Sequence, residues 1–184
     1  MSVLDRVRRR AVPRGNARAS VLPDIKLHVA EENDSFIADD GSRIWTSGYA
    51  LLDDTTGSFM RMRDQHFDNR HCLLCRVAGV TYRPEALQDP RFAPGHAVRL
   101  IPEPTNPYDQ NAVGIWDASG DIQLGFVPGD QSARVASDMR AGTQLVGFIL
   151  REFRRGKEGP RLGIHVLVVP SGTLELVVES PDDD

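Results

Sequence analysis

The side chains best suited to bind a ligand lie in residues 103–113 (EPTNPYDQNAV). This segment sets one aromatic ring, Tyr108, beside the acid Asp109 and the amides Asn106 and Asn111. A flat ring next to hydrogen-bonding groups suits the end of a nucleic acid strand, where the ring stacks on a base and the polar groups bond the sugar. The same residues could instead form a self-satisfied turn, with Tyr108 packed at a corner and Asp109 and Asn111 capping the backbone.

Two strand-like runs must position this segment. Residues 97–101 (AVRLI) precede it, and residues 112–116 (AVGIW) follow it. Pro104 and Pro107 cannot donate a ladder hydrogen bond, and the segment also contains the turn formers Asn and Asp. The pattern therefore predicts a rigid loop between two strands.

Four short motifs together resemble the HIRAN domain family. They are residues 77–82 (VAGVTY), 100–104 (LIPEP), 106–113 (NPYDQNAV) and 124–128 (LGFVP). The resemblance covers roughly Cys72 to Val169. It implies a small β-barrel related to the OB-fold that binds single-stranded DNA, in the best-understood members at a free 3′-hydroxyl end.

The spacing of turn signals agrees with a mostly-β fold. We expect an OB-like or SH3-like barrel of six short strands with one or two short helices, and an N-terminal β extension. Residues 130–140 give the clearest helix signal. Residues 84–88, which begin with a proline at a helix-start position, are expected to form one helical turn. The first barrel strand is expected to run from Cys72 to Tyr82.

The resemblance also assigns roles to single residues. Tyr82 would stack on a base at the barrel mouth, although it could be an ordinary packed aromatic. Asp109 would face the terminal sugar, since a carboxylate accepts a hydrogen bond from a hydroxyl but repels a phosphate. Asn106 would hold the sugar–phosphate link, and Asn111 would pin the loop. Phe126 would either sandwich the end base or pack into the core.

The basic residues that could hold phosphates are scattered. Thr81 departs from the family, whose better-studied members often carry a basic residue there. Arg83 supplies a nearby charge, but alternation along the first strand would point it to the other face. Three more candidates lie on a predicted hairpin tip: Arg154, Arg155 and Lys157. This tip is either a clamp on the DNA backbone or an ordinary solvated loop.

The 184-residue chain divides into four predicted parts. Residues 1–20 form a basic flexible tail, 21–70 the extension, 71–172 the barrel, and 173–184 an edge strand with an acidic tail. The Arg-rich first part is either solvated or a non-specific phosphate-binding arm. The net charge of −4 argues against coating nucleic acid by bulk charge but leaves room for a local basic groove.

Several classes of function are disfavoured. No apolar run is long enough to cross a bilayer, no secretory signal begins the chain, and two cysteines make no disulfide framework. We therefore expect a cytoplasmic protein with reduced thiols and no membrane partner. His66, His71, Cys72 and Cys75 invite a zinc site, but the two cysteines would face opposite sides of one strand. We expect no metal, no cofactor and no enzymatic activity.

Two functions remain from the sequence. The first is a single-stranded DNA binder that recognises 3′ ends in DNA repair or replication-fork processing, with a repair protein as a further partner. The alternative is a non-catalytic protein-interaction module on a β-barrel scaffold. The sequence leaves the oligomeric state open.

Overall fold

The computed structural model describes residues 25–31, 33–53, 58–59, 72–171 and 174–178, with side chains in 33–51 and 72–171. The predicted basic tail 1–20 and most of the predicted acidic tail lie outside the described residues. The strands are β1 Ile25–Glu31, β2 Asp34–Ile37, β3 Arg43–Asp53, β4 Ser58–Phe59, β5 Leu73–Arg76, β6 Ala97–Pro102, β7 Val113–Asp117, β8 Gln123–Phe126, β9 Leu145–Arg155, β10 Arg161–Pro170 and β11 Leu174–Val178. The helices are α1 Pro84–Gln88 and α2 Gly129–Arg140.

These strands form one mostly antiparallel sheet. Its main path runs β11-β1-β3-β9-β6-β7-β8, while β10 pairs with β9 and β5, and β2 and β4 pair with β3. Among the described strands, β1 and β11 form the one parallel pair. The mostly-β prediction and both predicted helices are confirmed. In the described part of the chain, no helix has the length and apolar character needed to span a membrane.

The predicted six-stranded barrel is not confirmed, because no ladder joins β8 back to β5. One isolated bridge spans this gap, between Ala78 and Phe126. The N–H of Ala78 donates to the Phe126 carbonyl at 2.8 Å, and the N–H of Phe126 donates to the Ala78 carbonyl at 2.9 Å. The described strands thus form an open sheet in which β8 and the segment that follows β5 meet at a single residue pair.

The first predicted strand is too long. β5 ends at Arg76, and Gly79 has a left-handed backbone with φ of 75°. A 3-10 turn, Val80–Tyr82, follows it. Tyr82 is therefore on a turn and not on a strand, so the alternation argument for the direction of Arg83 is wrong.

Apolar side chains pack on both faces of β5 and of the hairpin formed by β9 and β10. Cys75 belongs to the larger cluster, whereas Cys72 and Leu74 belong to a smaller cluster on the other face. The prediction that the two cysteines face opposite sides of the sheet is confirmed, so their thiols cannot bind one metal ion together. Burial raises the pKa of Cys75 to about 12. His66 and His71 lie outside the described residues.

A buried ion pair stabilises the β9–β10 hairpin near its turn. The guanidinium of Arg161 contacts the carboxylate of Glu152 at 2.5 Å, and both side chains are less than one-tenth exposed. Arg161 also donates to the carbonyl oxygens of Leu87 at 3.0 Å and Asp89 at 2.8 Å. The side-chain amide of Gln88 donates a hydrogen bond to the carbonyl oxygen of Arg161 and accepts one from its N–H. One arginine therefore fastens α1 to the sheet.

We expect Arg161→Leu to lower the free energy of unfolding by about 3–5 kcal/mol, since it leaves a buried carboxylate with less compensation. Urea denaturation measures the change. Arg155→Leu is the matched control on the same hairpin, because Arg155 is exposed and lies 3.9 Å from an exposed Asp40; such pairs add little. Equal stability losses in the two variants would contradict the role assigned to Arg161.

Candidate nucleic-acid interface

The loop between β6 and β7 is built around the side chain of Asn106. Its amide oxygen accepts hydrogen bonds from the N–H groups of Tyr108 at 3.0 Å and Asp109 at 3.4 Å. Its amide nitrogen donates to Glu103 Oε2 at 3.3 Å. Asn106 therefore fixes the shape of the loop, as turn-forming asparagines do. Its predicted contact with the sugar–phosphate link stays a prediction.

Glu103 ties this loop to the sheet. Its Oε1 accepts a hydrogen bond from Gln123 Nε2 on β8 at 2.8 Å. The two groups meet over Gly114, where a Cβ would lie 2.6–2.8 Å from Trp116 Nε1, Glu103 Oε1 and Gln123 Nε2. Sequence reasoning missed this cluster, although a glycine inside a strand is a signal of close approach.

Asp109 links the loop to helix α2. Its Oδ2 accepts a hydrogen bond from Ser132 Oγ at 2.8 Å, and its Oδ1 accepts one from the N–H of Asn111 at 2.8 Å. Asn111 in turn accepts a hydrogen bond from Arg140 at 3.1 Å, in agreement with its expected role of pinning the loop. Ser132 was not a predicted site residue, because nothing in its local sequence marks a contact 23 residues away.

The two tyrosines stand in solvent. Tyr108 is 96% exposed and Tyr82 is 89% exposed. The alternatives of a packed corner tyrosine and a packed barrel aromatic are therefore wrong. Phe126 is half-buried and lies outside both apolar clusters. The Arg83 guanidinium lies 5.9 Å from the centroid of its ring, within cation–π range.

Strand register brings most of these residues to one end of the sheet. Val113 pairs with Pro102 at the base of the loop, and the next residue, Gly114, pairs with Phe126. The Ala78–Phe126 bridge then places the turn that carries Tyr82 beside the same strand. Residues 104–110 line an open cavity of about 460 Å³ there.

Strand register does not bring the basic hairpin tip to the end of the sheet that carries the loop. β6 pairs with β9 at Gly147 and Phe148, whereas the tip follows Arg155 at the other end of β9. Arg154 donates to Glu152 at 2.6 Å and to the Gly159 carbonyl at 2.7 Å. Arg154 thus has local structural partners, and the contact of the tip residues with a DNA backbone stays a prediction.

The chain thus contains a small β module that presents two exposed rings and a rigid polar loop. The sequence profile of the HIRAN domain matches residues 71–168, which is 98 of 184 residues. The chain belongs to the HIRAN domain family, as its sequence predicted. HIRAN domains are DNA-binding modules.

Two solved structures are similar to this chain. A protein from Lactobacillus plantarum shares 25% identity with a TM-score of 0.38, over 52% of this chain and 89% of that one. The HIRAN domain of human HLTF shares 21% identity with a TM-score of 0.39, over 55% of this chain and 77% of that one. No curated protein matches the chain.

The loop geometry predicts the effect of removing the Asn106 side chain. We expect Asn106→Ala to speed hydrogen exchange of the Tyr108 amide about fivefold, because the lost hydrogen bond is worth about 1 kcal/mol. Asn111→Ala, in the same loop, leaves the bond between Tyr108 and Asn106 intact and should not speed that exchange. Unchanged exchange in Asn106→Ala would show that another group shapes the loop.

Proposed function

We propose that the chain binds single-stranded DNA and recognises its 3′-hydroxyl end. The observation that carries this proposal is the near-complete exposure of Tyr82 and Tyr108 beside a loop fixed by its own hydrogen bonds. An exposed ring on a rigid support gains free energy when a flat partner stacks on it. Every base has such a face, so binding should tolerate many sequences.

Asp109 supports selection of a hydroxyl end. An ionised carboxylate has about four lone-pair sites, and Ser132 Oγ and the N–H of Asn111 occupy two of them. Those two bonds hold the group in place and leave acceptor capacity for a sugar hydroxyl. A phosphate at the same point would meet the carboxylate of Asp109, and like charges repel.

We further propose that the module catalyses no reaction and serves DNA repair or replication-fork processing. In this proposal the six strands β5 to β10 act as the OB-like barrel, closed by the Ala78–Phe126 bridge. In this proposal Phe126 and Arg83 extend the stacking surface, since the guanidinium beside the ring adds a second flat group, which carries a positive charge.

End recognition predicts a clear preference. A ten-base strand with a 3′-hydroxyl should bind about tenfold more tightly than the same strand with a 3′-phosphate, a difference of about 1.4 kcal/mol. Asp109→Asn should reduce that preference, because the amide keeps an acceptor oxygen but carries no charge. Fluorescence anisotropy with labelled strands measures both. Equal affinity of the native chain for the two strands would rule out end recognition through Asp109.

Stacking predicts that each tyrosine contributes separately. Tyr82→Ala and Tyr108→Ala should each weaken binding of the hydroxyl strand by about 5- to 150-fold, which corresponds to about 1–3 kcal/mol per stacked base. Both rings are exposed, so neither change should alter stability. Phe36→Ala is the matched control, because Phe36 is also an exposed ring (48%) but lies on β2. Native affinity in both tyrosine variants would overturn the site.

A further inference from the structure

The strands that carry the candidate site have a second face, opposite the core. Leu100 on β6 and Ile115 on β7 pair with each other and belong to the larger apolar cluster. Their neighbours in sequence therefore project to the other side of the sheet. Strand register arranges the side chains on that side in two rows, which together we call the tryptophan face: Ile101, Gly114 and Phe126 in the first row, and Arg99, Trp116 and Gln123 in the second.

In the described part of the chain, the smaller apolar cluster does not cover the tryptophan face. That cluster reaches Phe148 on β9, which pairs with Ala97 on β6. Ala97 and Ile101 are exposed, so the apolar packing ends at β6. Trp116 and Phe126 are half-buried and belong to neither cluster. Two aromatic side chains therefore lie at the surface of this face.

The indole of Trp116 lies across a glycine. A Cβ on Gly114, two residues earlier on β7, would lie 2.6 Å from Trp116 Nε1. Residues two apart on a strand are about 7 Å from each other, so the indole leans back along the strand and does not stand up from it. A ring in this position turns one face to the backbone and the other to solvent, in agreement with the half-buried state of Trp116.

Hydrogen bonding does not explain the position of this indole. Its Nε1 is buried and makes no hydrogen bond within the described residues. The neighbouring Glu103 Oε1 instead accepts a hydrogen bond from Gln123 Nε2 at 2.8 Å. A buried donor without a partner destabilises a fold, and proteins accept such costs mainly at functional sites.

Two arginines flank the aromatic rings of the tryptophan face. The guanidinium of Arg83 lies 5.9 Å from the centroid of the Phe126 ring. Arg99 is exposed and pairs directly with Trp116. Its Nη1 donates to the carbonyl oxygen of Ser119 at 3.1 Å, which engages one of the five guanidinium donors with a neutral group. Rings that stack on bases, set among cations that lie near phosphates, are the combination that holds single strands in many proteins.

The tryptophan face is continuous with the proposed end site. Phe126 belongs to both, and the row of Trp116 lies about 7 Å further along β7. We infer that Trp116 stacks on a base of the single strand behind its bound end, with Arg99 beside the backbone of that nucleotide. This inference rests on the proposed function, because it takes the end of the strand to lie at Tyr82 and Tyr108. It extends the base-binding surface across β6, β7 and β8.

Strand length tests the role of Trp116. Trp116→Leu keeps an apolar side chain but removes the ring, so it should weaken binding of a ten-base strand about 5- to 150-fold and leave a three-base strand unaffected. Trp116→Phe keeps a ring and should retain most of the affinity. Trp45→Leu is the matched control, because Trp45 is also half-buried but lies on β3. Native affinity in Trp116→Leu, or equal losses for both strand lengths, would overturn the inference.

Tryptophan fluorescence separates this inference from the proposed function. The chain has two tryptophans, so Trp45→Phe leaves Trp116 as the single indole reporter. A ten-base strand should quench its emission, and a three-base strand should not. Equal quenching by 3′-hydroxyl and 3′-phosphate strands of equal affinity would retain the tryptophan face and reject end recognition. Binding of the ten-base strand without quenching would reject the tryptophan face and retain end recognition where the hydroxyl strand binds more tightly. If no strand binds, both proposals fail.

Discussion

Two backbone hydrogen bonds between Ala78 and Phe126 hold the candidate site together. The ladder reaches from β5 through β10, β9, β6 and β7 to β8, so this bridge is what joins the two ends in the described part of the chain. It needs a glycine beside it, because a Cβ on Gly125 would collide with the carbonyl oxygen of Ala78. That close approach lets backbone hydrogen bonds, together with the Arg83–Phe126 contact and the apolar cluster that includes Val80 and Leu124, hold the turn of Tyr82 against β8.

The loop and the rings have different physical tasks. The polar groups of Glu103, Asn106 and Asp109 bond to protein partners, while the ring of Tyr108 touches little and is almost fully exposed. A loop whose polar groups are already satisfied loses little conformational entropy when a ligand binds. Taken by themselves, the internal hydrogen bonds of Asn106 and Asp109 would favour a purely structural turn. The same bonds also hold the loop in a shape that keeps the Tyr108 ring exposed.

Local chemistry predicted the loop well, because Pro104 and Pro107 exclude strand pairing whatever surrounds them. Local chemistry failed where contacts between distant parts of the chain determine the structure. β5 ends at Arg76 and Gly79 turns the chain three residues later, but strand-forming residues on both sides of Gly79 hide that turn in the sequence. The bond of Asp109 to Ser132 and that of Glu103 to Gln123 span 23 and 20 residues, so no short motif reveals them.

The distribution of charge gives the proposed complex a direction. The net charge is −4, so attraction to DNA must be local. The carboxylates of Glu103 and Asp109 belong to the loop, whereas the guanidinium of Arg83 lies 5.9 Å from the centroid of the Phe126 ring on β8. A single strand has phosphates along its length and a neutral hydroxyl at its 3′ end. In the proposed complex, a 3′-hydroxyl at the loop would face the carboxylates while the phosphates behind it pass Arg83, so the charges would disfavour any end that carries a phosphate at the loop.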